Sequence, residues 1–336
     1  MNYLVLKQRI YLVISVLTLI VLGSGYGSCT KVSDRLSDSA MVALDSFHHC
    51  QYMAFSRGIG MAGRRSEQFD YADQLRRHTT VEQLVEIANT DTSRITRLWA
   101  YRILLKKADK QVFDILKQAL KDTTHVELMS GCSRFEEPYN RAAISIYRYD
   151  SYELKLPNQL CFSLDSLVFF DYMKPCGFER GLLMDFKPHK IYYATVIEEA
   201  NKGNDAILPL LAQYKNPNDR QRINKLLKAL LKEDGICSDE ACEAISNWND
   251  PAFEWYAKAA CQATIKQEDY DADEVLQLLC AYPAPWSYQI LKKLLTQKGD
   301  YSNSDTAKDY LTELYKTRPV PPIFKPLYDR YVARKK

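Results

Sequence analysis

Apolar residues recur at helical spacing along most of this chain, and this spacing limits the possible folds more than any other feature of the sequence. Eight segments place apolar side chains at positions i, i+3, i+4 and i+7, which is the template of an amphipathic helix. These segments begin at Val81, Val112, Tyr193, Ile207, Ile223, Phe253, Val275 and Ala307. Residues 38–150 and 188–336 contain no convincing strand alternation, so the sequence predicts an all-α fold.

Residues that favour helix starts accompany this pattern. Thr79 and Glu82 have the spacing of a capping box, in which a hydroxyl and a carboxylate each accept a hydrogen bond from an exposed backbone amide. Asp250 followed by Pro251 is typical of a cap with proline at the first helical position. In the C-terminal half, helices are predicted to start near residues 188, 204, 219, 238, 251, 272, 285, 304 and 322.

These helix starts, taken two at a time, are separated by about 31, 32, 34 and 37 residues, a spacing typical of helical-hairpin repeats. A single helix pair cannot bury both of its faces, whereas stacked pairs share one continuous core. The sequence therefore predicts an αα-solenoid of stacked antiparallel helix pairs, either HEAT-like or tetratricopeptide-like.

The stretch 92–122 has a more particular pattern. Arg97, Ala100 and Leu104 lie on a first predicted helix, and Asp109 begins a second helix that is rich in leucine. This pattern resembles the HEAT-like repeats of the phycobilisome-lyase type, and Tyr139 is placed to open a further repeat. The resemblance implies a helical-repeat fold whose surface binds other proteins.

Residues 151–187 interrupt the helical spacing with prolines, two cysteines and many aromatic side chains. The segment is too apolar for a disordered linker. We interpret it as an irregular insertion packed on the helices, with one helix near residues 164–173. It is also the expected joint between an N-terminal helical region, 38–150, and the helical pairs of 188–336.

The N-terminus has the order of a secretory signal, because Lys7 and Arg9 precede an uncharged segment, 10–30, whose first part is nearly all apolar. A glycine–serine pair directly before Cys29 resembles the lipobox of bacterial lipoproteins. The resemblance implies removal of residues 1–28, acylation of Cys29 and attachment to a membrane of the cell envelope, periplasmic or associated with the outer membrane. Residues 29–37 would then form a short tether.

Two other interpretations of the N-terminus remain open. An apolar run of about 20 residues can span a bilayer, so the segment could be an uncleaved anchor. Ordinary signal cleavage after the small residues Gly25 and Gly27 is the other.

The formal net charge of the chain limits the kinds of molecule that it is expected to bind. Cleavage before Cys29 would leave 308 of the 336 residues and, without Lys7 and Arg9, would change the formal net charge from +3 to about +1. Nucleic-acid binding depends on a basic field. The near-neutral balance therefore argues against a nucleic-acid partner.

The chain has nine cysteines, and acylation of Cys29 would leave eight, an even number that fits disulfides in an exported protein. Ser238 is a natural helix cap, so Cys237 and Cys242 occupy the two positions that a hydrophobic staple brings into contact. We predict a disulfide between Cys237 and Cys242. A contact between two reduced thiols is the alternative.

One glycine motif resembles a cofactor-binding motif but lacks the secondary structure that such a motif needs. Gly58, Gly60 and Gly63 spell GxGxxG, but residues 43–55 read as a helix, where a dinucleotide fingerprint needs a strand. A flexible or tight connection is predicted there instead.

Adjacent side chains on one helix point in different directions. His48, His49 and Cys50 therefore cannot all ligate one metal ion from a helix. For the same reason, the carboxylate pairs 136–137 and 198–199 are interpreted as solvated helix ends and not as an acid and base that face one bond.

These observations predict a lipid-anchored scaffold or protein-binding module of the cell envelope that acts through a helical-repeat surface. The alternative is an envelope enzyme of α/α architecture that acts on glycans, with two carboxyls about 5 to 10 Å apart in a pocket. The sequence predicts no catalytic residue, no metal site and no cofactor. The expected partners are a membrane, through Cys29, and a protein.

Overall fold

The computed structural model describes residues 36–154, 156–183, 186–234, 238–266, 272–296 and 303–333. Helices predominate, as predicted, and a small four-stranded sheet accompanies them. The chain divides into two compact units: unit 1 ends at Asp171, and unit 2 begins at Tyr172. This boundary lies within the 151–187 segment.

The predicted signal segment and Cys29 lie outside the described residues. Within the part of the chain that the structure describes, no helix combines the length and the apolar character that crossing a bilayer requires.

Unit 1 packs helices around and beside the sheet. Its elements are α1 (Asp38–His48), β1 (Met53–Ile59), β2 (Arg64–Arg65), α2 (Gln68–His78), α3 (Val81–Thr90), α4 (Arg94–Lys106), α5 (Val112–Ala119), β3 (His125–Gly131), β4 (Ser133–Pro138), α6 (Tyr139–Leu154) and α7 (Asn158–Leu167). A π-helical turn, Val168–Met173, continues α7.

The sheet has the strand order β2-β1-β3-β4. The β1–β2 and β3–β4 pairs are antiparallel, whereas β1 and β3 are parallel, with Met53 opposite Leu128. A parallel pair needs a long crossover, and here α2 to α5 supply it.

The sheet corrects the prediction of a strand-free N-terminal region. The segment 43–55 is not one helix, because α1 ends at His48 and β1 begins at Met53. In β3 the buried alternation involves only Val126 and Leu128, and the outermost strand, β4, has no buried residue. Such short alternation is weak in the sequence, and the pairing that makes it a strand comes from a distant segment.

The helix α4 is the centre of unit 1, since its residues are buried on almost every side. Trp99 donates a hydrogen bond from Nε1 to Oε1 of Gln68, at 2.8 Å, and the same oxygen accepts one from the backbone of β1. The Arg102 guanidinium binds Asp150 of α6 through two bonds of 2.8 and 2.9 Å. Both side chains are at most 3% exposed.

The 92–122 pattern forms the predicted pair of helices, α4 and α5. The Asp109 side chain accepts a hydrogen bond from the Gln111 backbone at 2.8 Å, which fixes the turn between them. Arg97 binds Asp122 at 3.0 Å and lies over the Tyr139 ring at 4.5 Å. The β3–β4 hairpin then precedes α6, so the next helix does not follow directly as a HEAT-like repeat predicts.

The helix caps agree with the sequence, with one shift of register. Asp250 accepts a hydrogen bond from the Ala252 backbone, and Ser238 caps its helix as expected. The predicted Thr79–Glu82 capping box is instead formed by Thr80 and Gln83. The Thr79 hydroxyl donates back to the Leu75 carbonyl, so it belongs to the end of α2.

The 151–187 segment is mostly helical where the structure describes it, so the prediction of an irregular insertion is wrong. The predicted helix near 164–173 is part of a longer run from α7 through the π-helical turn to α8 (Lys174–Cys176). Its prolines do not break helices, because Pro157 precedes α7 and Pro175 lies in the first turn of α8.

Unit 2 is helical in its described residues. Its further helices are α9 (Arg180–Leu183), α10 (Lys190–Lys202), α11 (Leu208–Gln213), α12 (Arg220–Asp234), α13 (Asp239–Trp248), α14 (Glu254–Thr264), α15 (Ala272–Ala281), α16 (Pro285–Thr296), α17 (Asn303–Leu314) and α18 (Lys325–Tyr331). Short 3-10 turns, Asp205–Ile207, Pro217–Asp219 and Pro251–Phe253, lead into α11, α12 and α14. These starts lie close to the predicted ones.

The helices of unit 2 pack in two series. One series runs α10, α12 and α14, each packed on the next, and the other runs α11, α13, α15 and α17. Apolar side chains between the series form the core, with Tyr256 and Leu279 fully buried. Alternate helices of the chain are therefore neighbours in space.

Candidate functional site

An open groove of about 980 Å³ crosses the outer side of α12 in unit 2. We call it the amide groove, because four of its lining side chains are amides. Its lining residues are Asn201, Asn218, Gln221, Arg222, Asn224, Lys225, Lys228, Ala252 and Trp255. They come from the end of α10, from α12 with its preceding turn, and from the start of α14.

The spacing within α12 explains why these side chains share a face. Gln221, Asn224, Lys225 and Lys228 are separated by three, four and seven residues, which places them on one side of a helix. The opposite side carries the buried residues Ile223 and Leu227. In the sequence, this polar face looks like an ordinary solvated helix surface.

A fully buried carboxylate, Asp219, holds one wall of the groove. It accepts hydrogen bonds from Arg222, at 2.7 Å, and from the Tyr193 hydroxyl, at 2.8 Å. Burial and the bond donated to Asp219 raise the pKa of Tyr193, so its hydroxyl stays a donor at neutral pH. Arg222 in turn donates to Asn201 at 2.9 Å, which fixes α10 beside α12.

Trp255 forms the other wall. Its Nε1 donates to the Asn224 side chain at 2.6 Å, and the Lys228 ammonium lies 6.0 Å from its ring centre. The side chain remains 36% exposed, which is high for an indole. The groove therefore offers an aromatic face between fixed polar groups.

The same type of contact recurs one step along the series. Trp286 of α16 donates from Nε1 to Glu254 of α14 at 2.8 Å. The two tryptophans thus bind residues 31 and 32 positions earlier, the same separation as the predicted repeat. In each case an indole ties the start of a helix to the helix two before it.

The amide groove has an excess of positive charge. Arg222 is paired with Asp219, whereas Lys225 and Lys228 have no carboxylate partner among the described residues. No Asp or Glu is among its lining residues. Side-chain amides both donate and accept hydrogen bonds, so the surface combines backbone-like polarity with cations and one aromatic ring.

The side chains of His48, His49 and Cys50, which the sequence predicts cannot all ligate one metal ion, bind three different partners. His48 binds Asp91 at 3.0 Å, His49 contacts the Asp45 carbonyl at 2.8 Å, and Cys50 donates to the Ser46 carbonyl. Among the described residues, no three His, Cys, Asp or Glu side chains are arranged to hold a metal ion.

The other motifs have structural roles. The GxGxxG glycines lie in the β1–β2 hairpin, where Gly60 and Gly63 have φ of +72° and +59°, so the predicted tight connection is confirmed. The residue pair 136–137 lies on β4 and not at a helix end. Glu198 and Glu199 both bind Lys202 in the last turn of α10.

Cys242 is fully buried in the first turn of α13. Its predicted partner, Cys237, lies outside the described residues, as does Cys29, so the disulfide and the acylation stay predictions.

Comparisons of this chain with protein-family models, with curated proteins and with solved structures find no match. The functional argument therefore depends on the geometry of the amide groove.

Proposed function

We propose that this chain is a lipid-anchored protein-binding module of the cell envelope, and that its amide groove binds an extended acidic segment of a partner protein. In this proposal unit 2 is an αα-solenoid, HEAT-like or tetratricopeptide-like, and Cys29 carries the lipid. The observation that carries the proposal is the pair of uncompensated lysines beside fixed amides and an exposed indole.

Each class of group in the groove has a counterpart in such a segment. An extended peptide has unpaired backbone N–H and C=O groups, which side-chain amides satisfy in both directions. Asp or Glu side chains of the segment would neutralise Lys225 and Lys228. Trp255 offers apolar area at low entropic cost, which is typical of residues that dominate binding energy.

The alternative function, a glycan hydrolase, draws less support from the groove. That chemistry needs two carboxyls on either side of one bond. No lining residue of the amide groove is acidic, and the carboxylate beneath it, Asp219, is already bound by Arg222 and Tyr193.

The test is peptide binding to the full-length chain in detergent micelles, followed by the fluorescence of the protein. Peptides rich in Asp and Glu should bind, and peptides of the same length with Lys in place of the acids should not. The double variant Lys225→Glu, Lys228→Glu should weaken binding by at least about tenfold, because two attractive pairs become repulsive.

Lys258→Glu is the matched control, since Lys258 is an exposed lysine of the neighbouring α14 outside the groove. It should leave affinity unchanged. Equal binding of acidic and basic peptides, or equal loss in the control, would contradict the proposal. Selective binding of neutral oligosaccharides would favour the glycan alternative.

A further inference from the structure

A second cluster of charged groups lies in unit 1, apart from the amide groove. It surrounds a small cavity of about 30 Å³ between β1, α2 and α4. That volume is enough for about two water molecules, so a larger oxyanion would enter it only in part. Five cationic side chains line it: Arg57, Arg65, Arg76, Arg102 and Lys106.

The fold brings these cations together from distant parts of the chain. On α4, Trp99, Arg102 and Lys106 lie on one face, at spacings of three and four residues. On α2, the same spacing aligns Phe69, Asp73 and Arg76. These two helix faces thus line the same cavity.

The β1–β2 hairpin supplies the third side. The tight turn made by the GxGxxG glycines pairs Gly58 with Arg65, and Ser66 donates its backbone N–H to the Arg57 carbonyl at 2.9 Å. Arg57 and Arg65 therefore reach the cavity from adjacent strands.

Three of the cations surround one ring. The guanidinium carbons of Arg57 and Arg102 and the ammonium of Lys106 lie 5.7, 5.3 and 6.0 Å from the Phe69 ring centre. The quadrupole of an aromatic face attracts cations only weakly. It does not neutralise three charges at this separation.

The carboxylates nearby are too few to neutralise the cluster. Arg102 is bound to Asp150, Arg65 to Asp70 and Arg76 to Asp73. Three carboxylates against five cations leave two positive charges, those of Arg57 and Lys106, without an acidic partner among the described residues. Arg57 and Lys106 are both exposed at the open side of the cavity. Desolvation of the Lys106 ammonium by neighbouring atoms, followed by repulsion from Arg102 and Arg57, nevertheless lowers the pKa of Lys106.

We propose that this cavity binds the dianionic phosphate group of a small ligand, with Arg57 and Lys106 as its direct charge partners and Arg102 as its floor. Two uncompensated charges match one dianion. Arg102 already donates to Asp150 and to the carbonyls of Ala54 and Phe55. The remaining donors come from two separate elements, the hairpin and α4, and donors from different directions suit a tetrahedral group better than a planar carboxylate. The shared chemistry is a phosphate group, whether free or at the end of a phosphate monoester.

Isothermal titration of the full-length chain in micelles tests the proposal, with inorganic phosphate and phenyl phosphate as the two probes. Both Arg57→Ala and Lys106→Ala should weaken phosphate binding by about tenfold, because each removes one charge-assisted contact. The double variant should lose saturable binding. A pocket for a terminal phosphate group should bind phenyl phosphate at least as tightly as free phosphate, whereas a free-phosphate site should exclude the ester.

Lys107→Ala is the matched control, because Lys107 is the C-cap residue directly after α4, is exposed and does not line the cavity. It makes the same change in net charge and should leave binding intact. Circular dichroism and thermal melting check that the variants are folded. The proposal fails if millimolar phosphate gives no saturable heat, if chloride at equal ionic strength competes fully, or if Lys107→Ala weakens binding as much as Lys106→Ala.

Discussion

At the scale of single residues, the cysteines differ in exposure and therefore in chemistry. Cys132 and Cys176 are exposed, whereas Cys261 is buried and Cys280 is largely covered. Burial raises the pKa of both Cys261 and Cys280 to about 12. A raised pKa keeps the thiol neutral until the pH approaches that value, and only the thiolate is a good nucleophile.

Alkylation of the native protein with iodoacetamide at pH 8 should therefore divide the thiols into two groups. Cys132 and Cys176 should react more than about a hundredfold faster than Cys261 and Cys280, because burial keeps the latter two thiols protonated and away from the reagent. Peptide mapping by mass spectrometry measures each site, and unfolding in denaturant should remove the difference. Rapid native labelling of Cys261 would contradict the burial on which this prediction depends.

The same peptide map examines the predicted Cys237–Cys242 disulfide. In nonreduced protein from an oxidising compartment, one peptide that spans both residues should be lighter by two hydrogens. Alkylation of both thiols before reduction would exclude the bridge.

At the scale of elements, Asp250 joins two helices through one carboxylate. One oxygen caps the 3-10 turn that leads into α14 by accepting the Ala252 N–H at 2.9 Å. The other oxygen accepts two bonds from Arg220 of α12, at 2.7 and 2.8 Å. Asp250 is buried, whereas the Arg220 side chain is 47% exposed, so solvent screens their ion pair.

We expect Asp250→Ala to lower the free energy of unfolding by about 2 kcal/mol, since it removes both the cap and the ion pair. Asp250→Asn keeps a capping oxygen and should cost only about 1 kcal/mol. Urea denaturation measures both variants, and Arg220→Ala isolates the ion pair. Equal losses for the Ala and Asn variants would mean that the cap contributes little.

The elements that depend on local signals are those that the sequence predicts well. Ser238 and Asp250 cap helices where expected, because a cap needs only the next few residues. The strands depend on distant partners, since Met53 pairs with Leu128, which lies in a separate part of the chain.

The candidate sites depend on distant partners in the same way. The contact of Trp255 with Asn224 bridges 31 positions, and the polar face of α12 has the composition of any exposed helix. Overall charge also hides the cluster around Arg57 and Lys106, since acidic residues elsewhere balance it in the total. Periodicity predicts which faces are polar but not which polar faces meet.

At the scale of the whole molecule, each unit carries its own candidate site, and the proposed anchor precedes both. A lipid-anchored chain keeps its sites at a membrane surface, and two or more acyl chains give stable attachment. The anchor rests on the sequence around Cys29, which lies outside the described residues.

Metabolic labelling with a palmitate analogue should mark the wild-type chain and not Cys29→Ala. The variant should also leave the membrane fraction, because loss of the acyl chains removes the apolar insertion energy. Cys132→Ala, which removes an exposed cysteine of the described part, should label like the wild type. Equal labelling of the Cys29 variant would exclude the lipoprotein assignment.

The contacts within each unit also determine how early that unit can form during synthesis of the chain. The parallel pairing of β1 with β3 joins Met53 to Leu128, so the sheet of unit 1 cannot close until some 75 further residues have been synthesised. In unit 2 the extensive contacts join helices that are at most two apart in the chain. Each helix of unit 2 therefore finds its neighbours soon after it emerges. The end of β1 can pair with the nearby β2, but its other edge stays open until β3 is made much later.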